Sequence, residues 1–192
     1  MKLNKELLIL LFKSEKEWEK WLEKNNSKSN GIWMKIAKKE TGIKSVYYPE
    51  ALDSALCYGW IDGQKKPFDE VYWLQKFTHR LPKSKWSKKN CNRAEELIRL
   101  GRMKPSGQNE IDIAKQDGRW EAAYASQRNI GIPEDFQKKM DENPGTFEFF
   151  NSLNSANRYA FLYRILDAKR PETRTQRINT FIDMLKEKKK FH

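Results

Sequence analysis

Asp62 lies in the run Gly59-Trp60-Ile61-Asp62-Gly63, where a tight helix-to-strand junction between two glycines could present a carboxylate to a cleft. Arg80, Arg93 or Arg119 from later segments could pair with it. Acid–base work would need a second titrating group, and His79 is the one His away from the C-terminus. One Asp and one His make a thin catalytic set, and an Asp bonded to nearby turn N–H groups is the plainer reading. Ser84, Ser87, Cys57 and Cys91 sit in no motif that marks an activated nucleophile. Glycine-rich phosphate loops, H-E-x-x-H and calcium-loop patterns are missing. Two Cys and two His are too few for a Cys/His zinc site or a disulfide scaffold. No catalytic residue, metal or cofactor is assigned, and an enzyme with a cleft near Asp62 remains one alternative.

Charge speaks more clearly. Lys and Arg number 38 against 26 Asp and Glu, a net +12. Ten of those cations (Lys76, Arg80, Lys83, Lys85, Lys88, Lys89, Arg93, Arg99, Arg102 and Lys104) fall between residues 76 and 104, beside only Glu95 and Glu96. Trp73, Phe77 and Trp86 interleave with them. Cations neutralise phosphates and aromatic planes stack on bases, so such a segment suits an anionic partner. Ser84-Lys85-Trp86-Ser87-Lys88-Lys89-Asn90 precedes a helix whose N-terminal N–H groups and dipole favour an anion. Arg119 beside Trp120, and Arg174 in Lys169-Arg170-Pro171-Glu172-Thr173-Arg174, are two further Arg-bearing junctions. The candidate binding set is therefore Asp62, Arg80, Lys85, Trp86, Lys88, Lys89, Asn90, Arg93, Arg102, Arg119, Trp120 and Arg174. The partner classes it fits are an acidic protein surface, an anionic lipid headgroup, a small phosphate-bearing ligand or nucleic acid.

The elements that must carry these residues follow from apolar spacing. Leu7–Phe12 and Ile32–Ala37 read as strands. Between them Ser14-Glu15-Lys16-Glu17 has the capping-box form and Trp18, Trp21 and Leu22 share a helix face, up to about Lys24. Pro49 opens a helix with Ala51, Leu52, Ala55 and Leu56 inward, which Gly59 stops. Trp60–Lys65 and Val71–Thr78 read as a hairpin around Pro67-Phe68-Asp69-Glu70. Beyond Ser87 the period turns helical. Helices are expected from Ser87 to Gly101, from Ser106 to Asp117, and from Pro133 with Phe136 and Met140 inward. The next starts at Pro144 with Phe147 and Phe150, then one after Asn154 with Tyr159, Leu162, Tyr163 and Leu166, and a last one from Pro171. The tail Lys186–Lys190 reads as a frayed, solvated helix end.

The fold class expected is α+β: a small mixed or antiparallel sheet with helices in the N-terminal part and an all-helical C-terminal half. With 192 residues, near the top of a usual domain of about 100–200, a single domain over 1–192 is expected. Its plausible seam lies near 81–85, between an α+β part (1–80) and a helical part (86–192). Seven Trp and 12% aromatic residues argue against disorder. No stretch has the roughly 20 apolar residues of a membrane span. The basic start followed by Leu7–Phe12 is too short for a secretion signal, so a cytoplasmic location is expected.

Several of these junctions together resemble the YdeI/OmpD-associated family, also called bacteriocin-protection proteins. The matching stretches are Glu50–Gly63 (Glu-Ala-Leu-Asp-Ser-Ala-Leu-Cys-Tyr-Gly-Trp-Ile-Asp-Gly), Lys85-Trp86-Ser87-Lys88-Lys89-Asn90, Gly101-Arg102-Met103, Asp117-Gly118-Arg119-Trp120 and Lys169-Arg170-Pro171-Glu172-Thr173-Arg174. Where the family pattern has Thr-Pro-Arg, this chain reads Thr78-His79-Arg80. The resemblance implies a bacterial protein of stress and antimicrobial-peptide tolerance, linked by name to an outer-membrane porin. It carries over no catalytic residue. A protein of net +12 would repel cationic peptides rather than trap them, so the function expected is non-enzymatic binding of an anionic partner, with nucleic-acid binding as the other alternative.

Overall fold

The computed structural model describes residues 7–125 and 129–192; the basic start at Met1–Glu6 lies outside the described residues. The chain divides into two compact units, at Ala123 and Tyr124. Residues 81–85 lie inside the first, as the loop between its last strand and its third helix.

The first unit runs β1 (Leu8–Leu11), α1 (Glu15–Asn25), β2 (Ile32–Ala37), α2 (Tyr48–Cys57), β3 (Trp60–Pro67), β4 (Tyr72–His79), α3 (Lys88–Arg99) and α4 (Pro105–Gln116). Its four strands form one mixed sheet in the order β1-β2-β4-β3. β1 and β2 are parallel, with α1 as the crossover between them, while β4 is antiparallel to both β2 and β3. The α+β expectation holds, with the sheet confined to the N-terminal part and helices alone after it.

Strand alternation decides which side chains enter the core. Ile32, Met34 and Ile36 are buried on one face of β2, paired in register with Phe77, Gln75 and Trp73. Trp18 and Leu22 of α1 and Ala51, Ala55 and Leu56 of α2 join the same core. Ser14 caps α1 through the Glu17 N–H at 3.3 Å, but Glu17 reaches back to the Lys13 N–H at 2.8 Å, one residue before the cap. Trp18 anchors α1 to α2 by donating its indole N–H to the Ala51 carbonyl at 3.0 Å. Gly59 turns from α2 into β3 at φ +77°, and a side chain there would strike the Ser106 carbonyl. Gly107 lets α4 lie against the end of α2; a Cβ there would stand 2.2 Å from the Cys57 carbonyl oxygen. β3 continues to Pro67, beyond the expected Lys65, with its pairing shifted between Asp62 and Lys65.

The second unit holds α5 (Glu134–Asp141), α6 (Thr146–Ser152), α7 (Ser155–Leu166) and α8 (Pro171–Lys186). Phe136, Met140, Phe150, Phe161, Ile178 and Phe181 are buried together. Two local expectations need correction here. α6 starts after Gly145, in the left-handed conformation at φ +82°, rather than at Pro144. α7 turns Ala160, Phe161, Leu162 and Ile165 inward, while Leu166 is half exposed. Its Tyr159 and Tyr163 stack on each other 5.6 Å apart instead of entering that core. Residues 186–190 are exposed at the end of α8, as expected, and beyond them Phe191 packs edge-on against Phe161 and Phe181. Buried Asn157 accepts the Phe191 and His192 N–H groups, both at 3.0 Å.

Candidate functional site

In the first unit α2 and α3 enclose a cleft of about 470 Å³. Tyr48, Pro49, Leu52 and Asp53 line it from α2, and Lys89, Asn90, Asn92, Arg93, Glu96 and Arg99 from α3. Each wall is placed by its helix start. Tyr47 donates its N–H to Glu50 at 3.1 Å in the first turn of α2, and Ser87 caps α3 by accepting the Asn90 N–H at 3.1 Å. Helical spacing then puts Lys89, Arg93 and Glu96 on one stripe of α3.

A bidentate clamp closes the cleft's inner end. Arg93 donates Nε to Asp53 Oδ1 at 2.7 Å and a terminal N–H to the other oxygen, and it also pairs with Glu96. Asp53 is largely shielded from water, its side chain 12% exposed, while Arg93 keeps partial contact with solvent. Lys89 and Arg99 make no ion pair among the described residues. The cleft therefore holds three cations and two carboxylates beside apolar Pro49 and Leu52, and the surplus charge is positive. Tyr48 donates its hydroxyl to Asp62 at 2.7 Å, and burial first, then Asp62, pushes the phenol well above its ordinary value.

The other expected site residues lie elsewhere. Asp62 sits in β3 and accepts the Tyr48 hydroxyl; among the described residues it pairs with none of Arg80, Arg93 or Arg119, nor does it shape a turn. Arg80, Trp86, Arg119 and Trp120 form one knot around the 81–86 loop. The buried Arg80 guanidinium lies 3.5 Å from the centre of the Trp86 ring, which packs on Trp120 at 4.8 Å. Arg80 and Arg119 donate to the Lys85 and Ser84 carbonyls at 3.4 and 2.9 Å, and Arg119 also pairs with Asp117 at 2.7 Å. Arg102 binds Glu15 and Glu19 of α1, the latter at 3.0 Å, and the Ser54 hydroxyl donates to the same two carboxylates. Lys85 and Lys88 are exposed flanks of the α3 start. Arg174 lies in the second unit, bidentate to Asp135 at 2.6 and 2.8 Å and bonded to the Ile165 carbonyl.

The cleft thus brings together Lys89, Asn90 and Arg93 from the expected set. It adds Tyr48, Leu52, Asp53 and Arg99, which lay outside the expected binding set; the paired apolar stripe of α2 and basic stripe of α3 were the available signal. The potential nucleophiles are quiet. Burial pushes the Cys57 and Cys91 thiols up to about 11, and burial lowers His79, whose ring lies 4.8 Å from Trp60. Among the described residues, no helix is long and apolar enough to cross a membrane.

Two family models match the chain, and the division between its compact units falls in the gap between them. Residues 10–110, just over half of the chain, match a family model described as a domain of unknown function, DUF8412. Residues 129–188 match the bacteriocin-protection, YdeI or OmpD-associated model. No curated protein and no solved structure matches the chain. The resemblance read from the sequence is shown over the second match, which includes Lys169–Arg174. Its earlier stretches at 50–63, 85–90 and 101–103 fall within the first match, and 117–120 falls in neither. The chain therefore belongs to the DUF8412 family, and its residues 129–188 carry the segment of the bacteriocin-protection, YdeI or OmpD-associated family.

Proposed function

We propose that this protein serves bacteriocin or stress tolerance by binding, without chemistry, a small phosphate-bearing ligand in the α2–α3 cleft. The observation that carries the reading is the cleft's charge disposition. Arg93 is held by Asp53 and Glu96, while Lys89 and Arg99 stand on the same wall with no carboxylate among the described residues. A volume of about 470 Å³ lies within the range of small-molecule sites, and an apolar floor with a few convergent polar groups is how such sites orient a ligand. The bidentate clamp keeps Arg93 in one rotamer, so its remaining face is preorganised. Unpaired, buried thiols at Cys57 and Cys91 support a reducing, cytoplasmic setting.

The test is calorimetric titration of inorganic phosphate and nucleoside monophosphates into the full chain and into the double variant Lys89→Gln/Arg99→Gln. Saturable binding that weakens at least about tenfold in the variant, with circular dichroism unchanged, is expected. That corresponds to losing one charge-assisted contact of roughly 1.5 kcal/mol. Equal affinity in both proteins, or no heat from any of these ligands, overturns the reading.

A further inference from the structure

The sheet has a second face, away from α1 and α2, and its composition is unlike that of the core. Register places Ile9, Trp33 and Lys76 in one row across β1, β2 and β4, and Leu11, Lys35, Leu74 and Lys66 in the next across all four strands. Tyr72 follows on β4 opposite Ala37. Ile9, Leu11 and Phe68 are 45%, 40% and 42% exposed, and Trp33, Lys35, Tyr72 and Lys76 are half-buried. The lysines lie on the rings: Lys66 Nζ is 4.3 Å from the Trp33 ring centre, and Lys35 Nζ is 4.4 Å from Phe68 and 5.3 Å from Tyr72. The stem of Lys76 runs beside Gly63, 3.7 Å from where a side chain there would begin. At the far end, the Asp69 carboxylate takes the Val71 and Tyr72 N–H groups at 2.8 and 2.6 Å.

We propose that this face binds single-stranded nucleic acid, at a surface distinct from the α2–α3 cleft. An ammonium over a ring centre means that the ring's face, not its edge, meets the lysine, and that face is what base stacking requires once the lysine swings away. Each lysine stem is flexible and can swing its charge to a phosphate, leaving the plane to a base. Trp33 and Tyr72 are offset by four residues along paired strands, about 13 Å at strand rise, so two stacking stations lie along a diagonal with Lys35, Lys66 and Lys76 beside them. Open aromatic planes on a sheet are how single strands are bound with little sequence preference, whereas a duplex hides its base faces. A membrane surface would instead take apolar side chains inserted into the acyl boundary, whereas here lysine ammoniums sit on the rings.

Fluorescence anisotropy with a labelled oligothymidylate 12-mer tests the assignment, alongside a hairpin duplex and sedimentation with vesicles of anionic phospholipid. Single strands are expected to bind at low salt and more tightly than the duplex. Trp33→Ala and Tyr72→Ala should each weaken binding about tenfold. The triple variant Lys35→Gln/Lys66→Gln/Lys76→Gln should reduce the slope of log affinity against log salt by about 2. Because those three side chains are at least partly exposed and make no ion pair among the described residues, that variant tests the idea even if an aromatic variant fails to fold. The cleft variant Lys89→Gln/Arg99→Gln should leave this binding intact, which separates the two sites. No binding of the 12-mer at low salt overturns the proposal. So does duplex binding as tight as single-strand binding, capture by vesicles but not by the 12-mer, or loss of binding only in the cleft variant.

Discussion

Arg93→Ala should destabilise the first unit more than Asp53→Ala, although the two delete opposite halves of one ion pair. The Arg93 side chain is 33% exposed and has Glu96 as a second partner, so without Asp53 it keeps both water and a carboxylate. Asp53 is 12% exposed and Arg93 supplies two bonds to it. Without Arg93 its charge stays mostly desolvated between α2 and α3. Breaking a fully buried pair costs about 3–5 kcal/mol and an exposed one about 0.2–1 kcal/mol. At this intermediate burial we expect about 2 kcal/mol for Arg93→Ala and about 1 kcal/mol for Asp53→Ala. The double variant should resemble Asp53→Ala alone, because removing both partners leaves no stranded carboxylate. Urea melts followed by tryptophan fluorescence, with Trp18 and Trp60 buried in that unit, give the midpoints and hence the coupling energy of the cycle. The reasoning fails if Arg93→Ala stays within about 0.5 kcal/mol of wild type, or if the two single effects simply add.

Two further outcomes are expected of the second unit. Hydrogen bonding from Arg174 holds the Asp135 carboxyl below its ordinary value, so this pair stabilises the fold above the unfolded carboxyl pKa of about 3.9 and loses that contribution as pH falls through the lower, folded value. The Asp135 side chain is 47% exposed, so solvent limits the effect to roughly 0.5 kcal/mol. Urea midpoints taken from pH 6 down to pH 2 should therefore fall less steeply in Arg174→Gln than in wild type, and parallel curves would refute the assignment. Asn157→Ala should release the tail, leaving the Phe191 and His192 N–H groups without their acceptor and Phe191 free to leave Phe161. About 2 kcal/mol of lost stability, at roughly 1 kcal/mol per bond, and rapid hydrogen exchange at residues 191–192 are expected; exchange as slow as in wild type would contradict the docking.

Element positions were legible because they rest on short-range rules. β2 matches the expected Ile32–Ala37 since its alternation is unbroken, and α8 begins at Pro171 because proline there loses no needed hydrogen bond. The face of α7 was misread because Tyr159, Leu162, Tyr163 and Leu166 also repeat at helical spacing. Volume decided between the stripes: Phe161 and Ile165 fill the space against Phe150 and Phe181, and the two tyrosines have hydroxyls to keep near polar groups. The docking of Phe191 was not legible because its anchor, Asn157, is 34 residues away in sequence. The same distance problem governs the site. The basic segment was visible as a count, but the partners of its cations were not. Asp53 is 40 residues from Arg93, and Glu15 is 87 from Arg102. Folding brings those carboxylates in and sorts the cations by type. Arg93, Arg102, Arg119 and Arg174 clamp acids, and Arg80 stacks on Trp86, because a rigid planar fork makes several directed bonds at little entropic cost. Lys35, Lys66, Lys76, Lys88 and Lys89 are in no ion pair among the described residues. An ammonium on a four-carbon stem gives little to a fixed network and keeps its reach. These arginines consolidate the fold, and those five lysines, with Arg99 as the exception among the arginines of α3, hold the charge that an anionic partner can meet.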